Sequence, residues 1–404
     1  MMRVAQNRVR VAVLSLFACF LTSLSSHAAD ERAAPVLVGL DADMSAAAAL
    51  GGEAIRRGAA IAIDEINQAG GVLGRPLELV VRDHRGNPDR GVDNIKELAL
   101  MDDLVAVMGG IHTPVAMAEL EIIHEHNLLY LGPWAAGTFV VDNDYDPNFV
   151  FRVSARDEYA GEFLIDAAFK RGYRRPALLL WQTAWGRSNE VAMTTALENR
   201  SEEPAAIQWF NTGAQSVAGQ LEAIKLAGAD VVMLVAAPGG VITAVHDMAA
   251  LPPAERLPII AHWGFTGSEL QQATLDDLKD VDLTFLQTFS FFDPPFADRA
   301  DRVLAAYCRH FQACDGPSSI LAPTGTAHAY DLVHLLALAI DAAGTNDRDR
   351  VRDAMATLER YDGLVRLYDP PFSADDHDAL GPEDLRLAAY DKNGVIVPLG
   401  LLGK

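Results

Sequence analysis

Two acidic segments are the first places where side chains could do chemistry, because aspartates in alternating positions can bind calcium. Residues 142–146 carry three aspartates in alternation. A calcium-binding loop would continue with a turn glycine and end on a bidentate acid, but this chain has Pro147 and Val153 at those positions. Residues 375–378 read Asp-Asp-His-Asp, and Leu380 breaks their alternation. We expect both segments to be solvated acidic loops, with no metal site.

The sequence also lacks the motifs of the common enzyme classes. The first predicted strand-to-helix loop, residues 40–46, has no glycine for a nucleotide pyrophosphate and carries two acids that would repel phosphate. Neither a Walker A lysine loop nor a Gly-x-Ser-x-Gly elbow occurs. His124 and His126 lie two residues apart on a predicted helix and point apart, which is wrong for a shared zinc ion. We expect no catalytic residues and no cofactor, and we expect Glu119 and His126 to be ordinary surface residues.

Aromatic and polar residues gather instead in segments that follow predicted strands. In open α/β sheets, ligands bind beyond the carboxyl ends of the strands, where helix N-termini present unpaired N–H groups. Three of the five tryptophans, Trp134, Trp185 and Trp263, lie in such segments. A tryptophan in a turn can equally cover the edge of a core, but three at equivalent places favour an aromatic-lined cleft.

Strands and helices must alternate along the chain to position these loops. A continuous apolar run at residues 36–40 predicts a buried strand, and Ile55 and Ile66 share the apolar face of the helix that follows. This order repeats in both halves of the chain, so we predict an α/β fold with parallel sheets covered on both faces. Further strands are predicted at residues 77–81, 104–108, 128–131, 149–153, 177–181, 207–210, 231–236, 257–261 and 284–292, with a final hairpin at 387–390 and 395–399.

Length and charge narrow the class of protein. The chain has 404 residues, which suggests two domains, and its composition is that of a globular protein. Lys plus Arg number 33 against 55 Asp plus Glu, a formal net charge of −22. Because such a surface repels phosphate backbones and anionic lipids, we expect no nucleic-acid partner.

The N-terminus predicts export. Residues 1–10 carry three arginines and no acid, residues 11–24 are largely apolar, and Ser26-His27-Ala28 fits a cleavage site, so residues 1–28 are a predicted signal peptide. We expect a periplasmic protein with no direct membrane insertion after cleavage. Cys19 loosely resembles a lipoprotein attachment site, which leaves lipidation as an alternative.

Two cysteines would remain after processing. Cys308 and Cys314 are six residues apart, and an exported protein can form a disulfide between them. Two buried thiols are the alternative.

The chain resembles the type I periplasmic solute-binding proteins of the leucine/isoleucine/valine-binding family, which serve ATP-driven importers. The most specific stretch is residues 51–77, which read GGEAIRRGAAIAIDEINQAGGVLGRPL. Supporting segments are VRD at 81–83, GNP at 86–88, AVMGG at 106–110, FVFR at 149–152 and YDGL at 361–364.

The resemblance implies two Rossmann-like lobes joined by three crossover segments. Lobe 1 would comprise residues 36–150 plus 293–360, and lobe 2 residues 151–292 plus 361–404. In such proteins lobe 1 binds the ligand first and lobe 2 then closes over it, forming the shape that a membrane permease recognises. The ligand-binding positions implied by the match and by the loops are Ile111, His112, Thr113, Trp134, Ala135, Thr138, Asp157, Trp185, Pro238 and Trp263.

Two departures from the family bear on the ligand. Amino-acid binders usually have a small Ser or Thr pair where this chain has Ile111-His112, and often an acid where it has residues 236–239, Ala-Ala-Pro-Gly. We therefore predict a small organic ligand with aromatic or aliphatic bulk, such as an amide or an acid, stacked by Trp134 and Trp185 and hydrogen-bonded by His112 and Thr113. An amino acid remains an alternative, since Asp157 or Glu158 could accept its ammonium group.

Three functions are compatible with these features to different degrees. The first is a receptor that delivers its ligand to the permease of an ABC importer, and the second is a ligand-sensing partner of a membrane sensor kinase. An exported α/β enzyme using His112 is the third, and it lacks a recognisable nucleophile, cofactor loop or metal set.

Overall fold

A computed structural model describes residues 34–402, apart from residues 271–273, 275, 313–314 and 321. The predicted signal peptide and Cys314 lie outside the described residues. The disulfide between Cys308 and Cys314 therefore stays a prediction.

The first half of the chain builds a five-stranded parallel sheet. Its strands run in the order β2-β1-β3-β4-β5, and each pairs with its neighbours in parallel. Strand β3 is buried along its whole length, as expected for a parallel sheet with helices on both faces. The elements are β1 (Val36–Ala42), α1 (Ala49–Gln68), β2 (Leu77–Asp83), α2 (Pro88–Ala99), β3 (Leu104–Met108), α3 (Thr113–Glu125), β4 (Leu129–Gly132), α4 (Thr138–Val141) and β5 (Val150–Arg152).

The same alternation restarts after β5 and builds a second sheet. Its parallel part has the strand order β10-β9-β8-β6-β7. The elements are α5 (Asp157–Lys170), β6 (Pro176–Trp181), α6 (Ala184–Glu198), β7 (Ile207–Phe210), α7 (Ala218–Leu226), β8 (Val231–Val235), α8 (Pro238–Ala250), β9 (Ile259–Ala261) and β10 (Leu283–Gln287).

Three helices after β10 return to the first sheet. Helices α9 (Ala297–Phe311), α10 (Pro323–Ala343) and α11 (Arg348–Met355) follow one another, and α10 packs along α1. Arg348 links this segment to the first half of the chain, because its side chain donates to backbone carbonyls there, including those of Leu104 and His126. The side chain of Tyr330 in α10 donates to Glu65 in α1 at 2.6 Å.

The C-terminal segment then rejoins the second sheet. After the small hairpin β11 (Tyr361–Asp362) and β12 (Leu367–Tyr368), the strands β13 (Arg386–Tyr390) and β14 (Ile396–Pro398) add to the edge beyond β10 in antiparallel orientation. The chain thus passes between the two halves three times. The predicted α/β fold with two parallel sheets is confirmed, while the residue bounds of the two lobes stay a prediction.

One predicted strand is shorter in the structure. Residues 284–292 were expected to be extended throughout, but β10 ends at Gln287. Strand β13 pairs only with residues 285–287, so the following residues have no neighbouring strand and leave the sheet.

Glu119 is buried inside the first half of the chain, so its expected surface position is wrong. Helix α3 turns this carboxyl group toward Asp41 of β1 and Tyr130 of β4. Gly91 of α2 makes room for it, because an added Cβ there would lie 2.5 Å from Glu119 Oε1. The spacing alone did not reveal this, because Glu119 is the polar member of an otherwise apolar helix face.

Burial raises the pKa values of both Asp41 and Glu119. Burial raises the pKa of Asp41 to about 6, against a hydrogen bond from Asn94 that lowers it. Burial and the neighbouring Asp41 carboxyl raise the pKa of Glu119 well above its ordinary value. The folded state therefore binds protons that the unfolded chain releases near pH 4. The contribution of Asp41 to stability is lost as the pH rises through its pKa of about 6, and that of Glu119 as the pH rises through its own raised pKa.

We expect Glu119→Gln to lose this pH dependence, because glutamine occupies the same space without a charge. Between pH 4 and pH 7 the free energy of unfolding of the wild type should fall by about 2 kcal/mol relative to that of the variant. Urea denaturation at pH 4, 5.5 and 7 measures the difference, with the exposed Glu121→Gln on the same helix as control. Parallel pH curves for wild type and Glu119→Gln would contradict the assignment.

Candidate functional site

The loops at the carboxyl ends of the strands meet between the two sheets. Trp134 follows β4 of the first sheet, and Trp263 follows β9 of the second. Their ring centroids lie 6.2 Å apart in an edge-to-face arrangement. His262 contacts Trp263 on one side and Trp185, in the first turn of α6, on the other at 5.0 Å. We call Trp134, Trp185, His262 and Trp263 the tryptophan cluster.

Glycines make room for the large rings of this cluster. A Cβ at Gly325 of α10 would lie 2.4 Å from the ring of Trp134, and one at Gly264 would lie 2.4 Å from the ring of Trp185. Both glycines therefore allow a backbone segment to lie directly against an indole. The exposed fractions of Trp134, Trp263 and Trp185 are 0%, 1% and 6%, so all three are enclosed in this structure.

Asp157 connects the cluster to both halves of the molecule. It is the first residue of α5, and its backbone N–H donates to the carbonyl of Ala136 in the loop after β4. Its side-chain Oδ1 accepts from Trp185 Nε1 at 3.2 Å and lies 3.1 Å from His262 Nε2, although that contact is poorly aligned for a hydrogen bond. The N-terminus of α5 favours this buried carboxylate through the helix dipole.

Four buried polar atoms in or beside the cluster have no hydrogen-bond partner among the described residues. They are Trp134 Nε1, Asp157 Oδ2, Asn189 Oδ1 and His262 Nε2. Unpaired buried polar groups cost about 1 to 3 kcal/mol each, so native proteins satisfy them with protein, water or a ligand. A group of them at one interface is typical of a place where a ligand binds.

A separate cavity of about 320 Å³ has walls from both halves of the molecule. Asp43 and His112 line it from the first half, and Trp181, Phe210 and Pro238 line it from the second. Burial alone would raise the pKa of Asp43, but His112, whose Nε2 lies 3.5 Å from its Oδ2, and hydrogen bonds from the backbone N–H groups of Ala48 and Ala46 hold the pKa at about 2. We call this space the mouth cavity, and its volume suits a small organic molecule.

The structure divides the predicted ligand-binding residues among three places. Trp134, Asp157, Trp185 and Trp263 lie together in the tryptophan cluster, whereas His112 and Pro238 line the mouth cavity. The other four pack within or between the loops, and whether any of the ten touches ligand stays a prediction. Ile111 lies near Gly51 and Gly267, Thr113 Oγ1 accepts from Gly137, the Ala135 carbonyl accepts from Arg152, and Thr138 N–H donates to Ser188 Oγ.

Sequence reasoning missed the ion pair behind the site. Residues 375–378 were expected to form a solvated loop, but Asp378 is buried and pairs with Arg152 at the end of β5. This expectation was wrong because the charge partner lies 226 residues away in sequence. Asp375 and Asp376 are exposed, as expected.

Arg152 also fixes the loop that carries Trp134. Its Nη1 donates to the carbonyls of Gly137 at 2.8 Å and Ala135 at 3.2 Å. At the other end of the loop, His328 Nδ1 donates to the carbonyl of Pro133 at 2.8 Å, and His328 Nε2 accepts from Thr288 at 2.8 Å. Burial lowers the pKa of His328 to about 4, so the ring is neutral at pH 7. Residues 133–138 are therefore held near both ends, by His328 of α10 at Pro133 and by Arg152 of β5 at Ala135 and Gly137.

A contact between two glycines closes the outer part of the interface. Gly51 of α1 donates its backbone N–H to the carbonyl of Gly267 at 2.8 Å. A Cβ at Gly267 would lie 2.7 Å from Gly51 Cα, a distance at which one backbone must move. Close approach of the two halves therefore requires glycine at position 267.

Among the described residues, no helix combines the length and apolar character that a membrane span requires. In the same part of the chain, no group of three or more His, Cys, Asp or Glu side chains is arranged to hold a metal ion.

Asp378→Asn should strongly destabilise the fold, because it leaves the buried Arg152 guanidinium without a counter-charge. We expect the free energy of unfolding to fall by about 3 to 5 kcal/mol. The exposed Asp375→Asn is the matched control and should change it by less than about 0.5 kcal/mol. Urea denaturation at pH 7 measures both, and equal midpoints for the two variants would exclude a structural role for the ion pair.

Gly267→Ala should hold the two halves apart, because its methyl group meets backbone at Gly51. The opened interface exposes the tryptophan cluster, so acrylamide should quench the protein's fluorescence more strongly than in the wild type. Gly219→Ala on α7 is the control, since nothing lies within 4 Å of the added methyl. Quenching of Gly267→Ala equal to that of the wild type would refute the close contact.

Comparison with known proteins identifies the family of this chain. A family model described as periplasmic binding protein matches residues 35–394. The Leu/Ile/Val-binding protein homolog 3 of Brucella melitensis is 25% identical over 321 residues, which cover 78% of this chain and 81% of the relative.

Solved structures share the fold. The branched-chain amino acid transporter substrate-binding protein LivJ from Streptococcus pneumoniae, in complex with isoleucine, is 20% identical, with a TM-score of 0.75 over 90% of this chain and 99% of that one. A solute-binding protein of an ABC transporter from R. palustris, in complex with benzoate, is 20% identical, with a TM-score of 0.72 over 90% and 95% of the two chains. Because the family model spans nearly all of the described residues, the chain belongs to the periplasmic binding protein family.

Proposed function

We propose that this protein is the extracytoplasmic receptor of an ABC importer, which binds a small organic solute between its two halves and presents it to a membrane permease. The observation that carries the proposal is the interface itself. Loops from both sheets enclose the tryptophan cluster and the mouth cavity, and polar atoms buried there, among them Trp134 Nε1 and Asp157 Oδ2, have no hydrogen-bond partner in the described part of the chain.

The arrangement supports binding by closure. The loop at residues 133–138 is fixed by Arg152 and His328, so it offers a preformed surface in the first half. Trp185 and Trp263 then come from the second half and cover that surface. Closure would bury the solute and bring the two halves into the single shape that a permease can distinguish from the open one.

Binding without chemical turnover is part of the proposal. His262 is the histidine that contacts the buried carboxylate of Asp157, and its basic ring nitrogen already accepts a hydrogen bond. Nδ1 accepts from the backbone N–H of Trp263 at 2.8 Å, so Nε2 carries the hydrogen and faces Asp157. The ring therefore has no free nitrogen to act as a base toward a bound molecule.

The comparisons support a small organic ligand. Related structures hold isoleucine and benzoate, which share an apolar body with a compact polar head. The mouth cavity of about 320 Å³ and the aromatic side chains around it suit molecules of that size.

A thermal-shift screen of the processed protein tests the proposal. The panel comprises amino acids, amides, aromatic acids, alcohols and short fatty acids. A true ligand at about a hundred times its dissociation constant should stabilise the protein by about 2.7 kcal/mol, which gives a readily measured rise in melting temperature. No shift with any compound, or accumulation of a product from one of them, would contradict a binding receptor.

Trp185→Phe should reduce the shift from any compound that the screen finds, because it keeps an aromatic ring but removes the N–H donor that orients Asp157. The melting temperature without ligand should change little. Trp209→Phe is the control, since Trp209 lies in β7 and stacks with Arg187 outside the cluster. Equal ligand-induced shifts in melting temperature for both variants would show that Trp185 is not part of the binding site.

A further inference from the structure

We infer that a groove between α4, α5 and α6 is a second binding site, for a small amine with an apolar body, and that its occupant holds the two halves together. We call it the side groove. It shares no lining residue with the tryptophan cluster or the mouth cavity, so it is separate from the site described above.

The side groove has walls from both halves of the molecule and a volume of about 220 Å³. Thr138 and Phe139 of α4 line it from the first half, and residues of α5 and α6, among them Glu162 and Val191, line it from the second. The backbone N–H of Thr138 donates to Ser188 Oγ at 3.2 Å, which brings α4 against α6. The groove in this form therefore depends on contact between the two halves.

Two large apolar side chains in the side groove are exposed to solvent. The exposed fractions of Phe139 and Val191 are 54% and 59%, and the two residues belong to different halves. The buried Ala192 and Ala196 continue the apolar wall along α6. Covering such side chains with an apolar ligand is favourable, because it removes apolar surface from water.

The charge in the side groove is entirely negative. Glu158 and Glu162 lie four residues apart on α5, so they share one face of the helix. None of the described residues that line the groove is basic. Glu158 pairs with Arg156 at 2.9 Å, whereas Glu162 has no ion pair in the part of the chain that the structure describes. A carboxylate beside an apolar wall favours an ammonium group on an apolar body and repels a ligand carboxylate.

A bound amine should favour closure of the two halves. A molecule that contacts Phe139 on one side and Val191 on the other binds the arrangement in which both walls are present, and therefore stabilises it. A solute that requires the same arrangement should bind more tightly when the side groove is filled, and the amine should bind more tightly when the solute is present. This coupling to the solute rests on the proposed function, whereas the site itself does not.

Titration of the wild-type protein with phenethylamine, followed by backbone-amide chemical shifts, tests the site. Saturable shifts in residues 138–139 and 188–199 place the amine in the side groove. 2-Phenylethanol and phenylacetate keep the ring and replace the ammonium by a neutral and an anionic group. We expect phenethylamine to bind about fivefold more tightly than 2-phenylethanol, as one partly exposed ion pair allows, and phenylacetate not to bind.

Glu162→Gln removes the unpaired charge without changing the size of the side chain. Its affinity for phenethylamine should fall about fivefold, and its affinity for 2-phenylethanol should stay the same. Glu198→Gln, at an exposed position of α6 outside the groove, is the matched control and should keep the wild-type affinity. Equal affinities of the two variants for phenethylamine, or binding of phenylacetate as tight as that of the amine, would overturn the site.

Deuterium exchange in residues 262–267 tests whether the amine holds the halves together. Phenethylamine alone should slow this exchange in the wild type and in Glu198→Gln, and much less in Glu162→Gln at the same concentration. Unchanged exchange in the amine-saturated wild type would refute this effect on closure. If no compound of the solute panel binds while phenethylamine still gives these results, the receptor function fails and the side groove stands.

A second copy of the chain is the competing occupant of the side groove. Light scattering of the wild type and of Phe139→Ser distinguishes the two, and we expect Phe139→Ser to leave the molar mass unchanged and to weaken phenethylamine binding. A wild-type dimer that becomes a monomer in Phe139→Ser would show that the groove is a subunit interface and would overturn the amine site.

Discussion

The ion pair between Arg152 and Asp378 is the interaction on which the rest of the site depends. It joins the end of β5 to a segment more than two hundred residues later, and both side chains are buried. The same guanidinium also holds the carbonyls of Ala135 and Gly137. One charged group therefore connects two chain passages between the halves with the loop that carries Trp134. Burying two charges is costly, and the hydrogen bonds that the guanidinium donates to Asp378 and to the loop carbonyls offset that cost.

The interface between the halves combines this fixed surface with a second one that must fit against it. The rings of Trp134 and Trp263 contact each other there, and glycines at positions 264 and 325 let the backbone approach the indoles while Gly267 lets it approach Gly51. Asp157 is a carboxylate enclosed beside these rings, and its Oδ2 has no hydrogen-bond partner among the described residues. The interface is tightly packed but leaves a few buried polar atoms without hydrogen bonds. The two halves can therefore close on each other without a ligand, and a suitable solute would supply the missing hydrogen bonds.

Much of the fold could be predicted from the sequence, because buried parallel strands are continuous apolar runs and the helices between them carry one apolar face. The loops with Trp134, Trp185 and Trp263 could be found for the same reason, since each directly follows a strand or opens a helix. The burial of individual charged side chains could not be predicted. Glu119 and Asp378 resemble surface residues in sequence, and only their partners Asp41 and Arg152, brought near by the topology, explain their positions. The short β10 was missed because its partner strand lies a hundred residues further on.

Backbone amide exchange at Gly51 is the most direct test of a cleft that closes on a solute. This N–H is shared between the carbonyl of Gly267, across the interface, and that of Ala48 in its own half, so its exchange with deuterium should slow further when the two halves are in contact. In the presence of the compound that most raises the melting temperature, exchange at Gly51 and in residues 262–267 should slow together. Unchanged exchange in both segments with every compound of the panel would contradict closure of the two halves around a ligand.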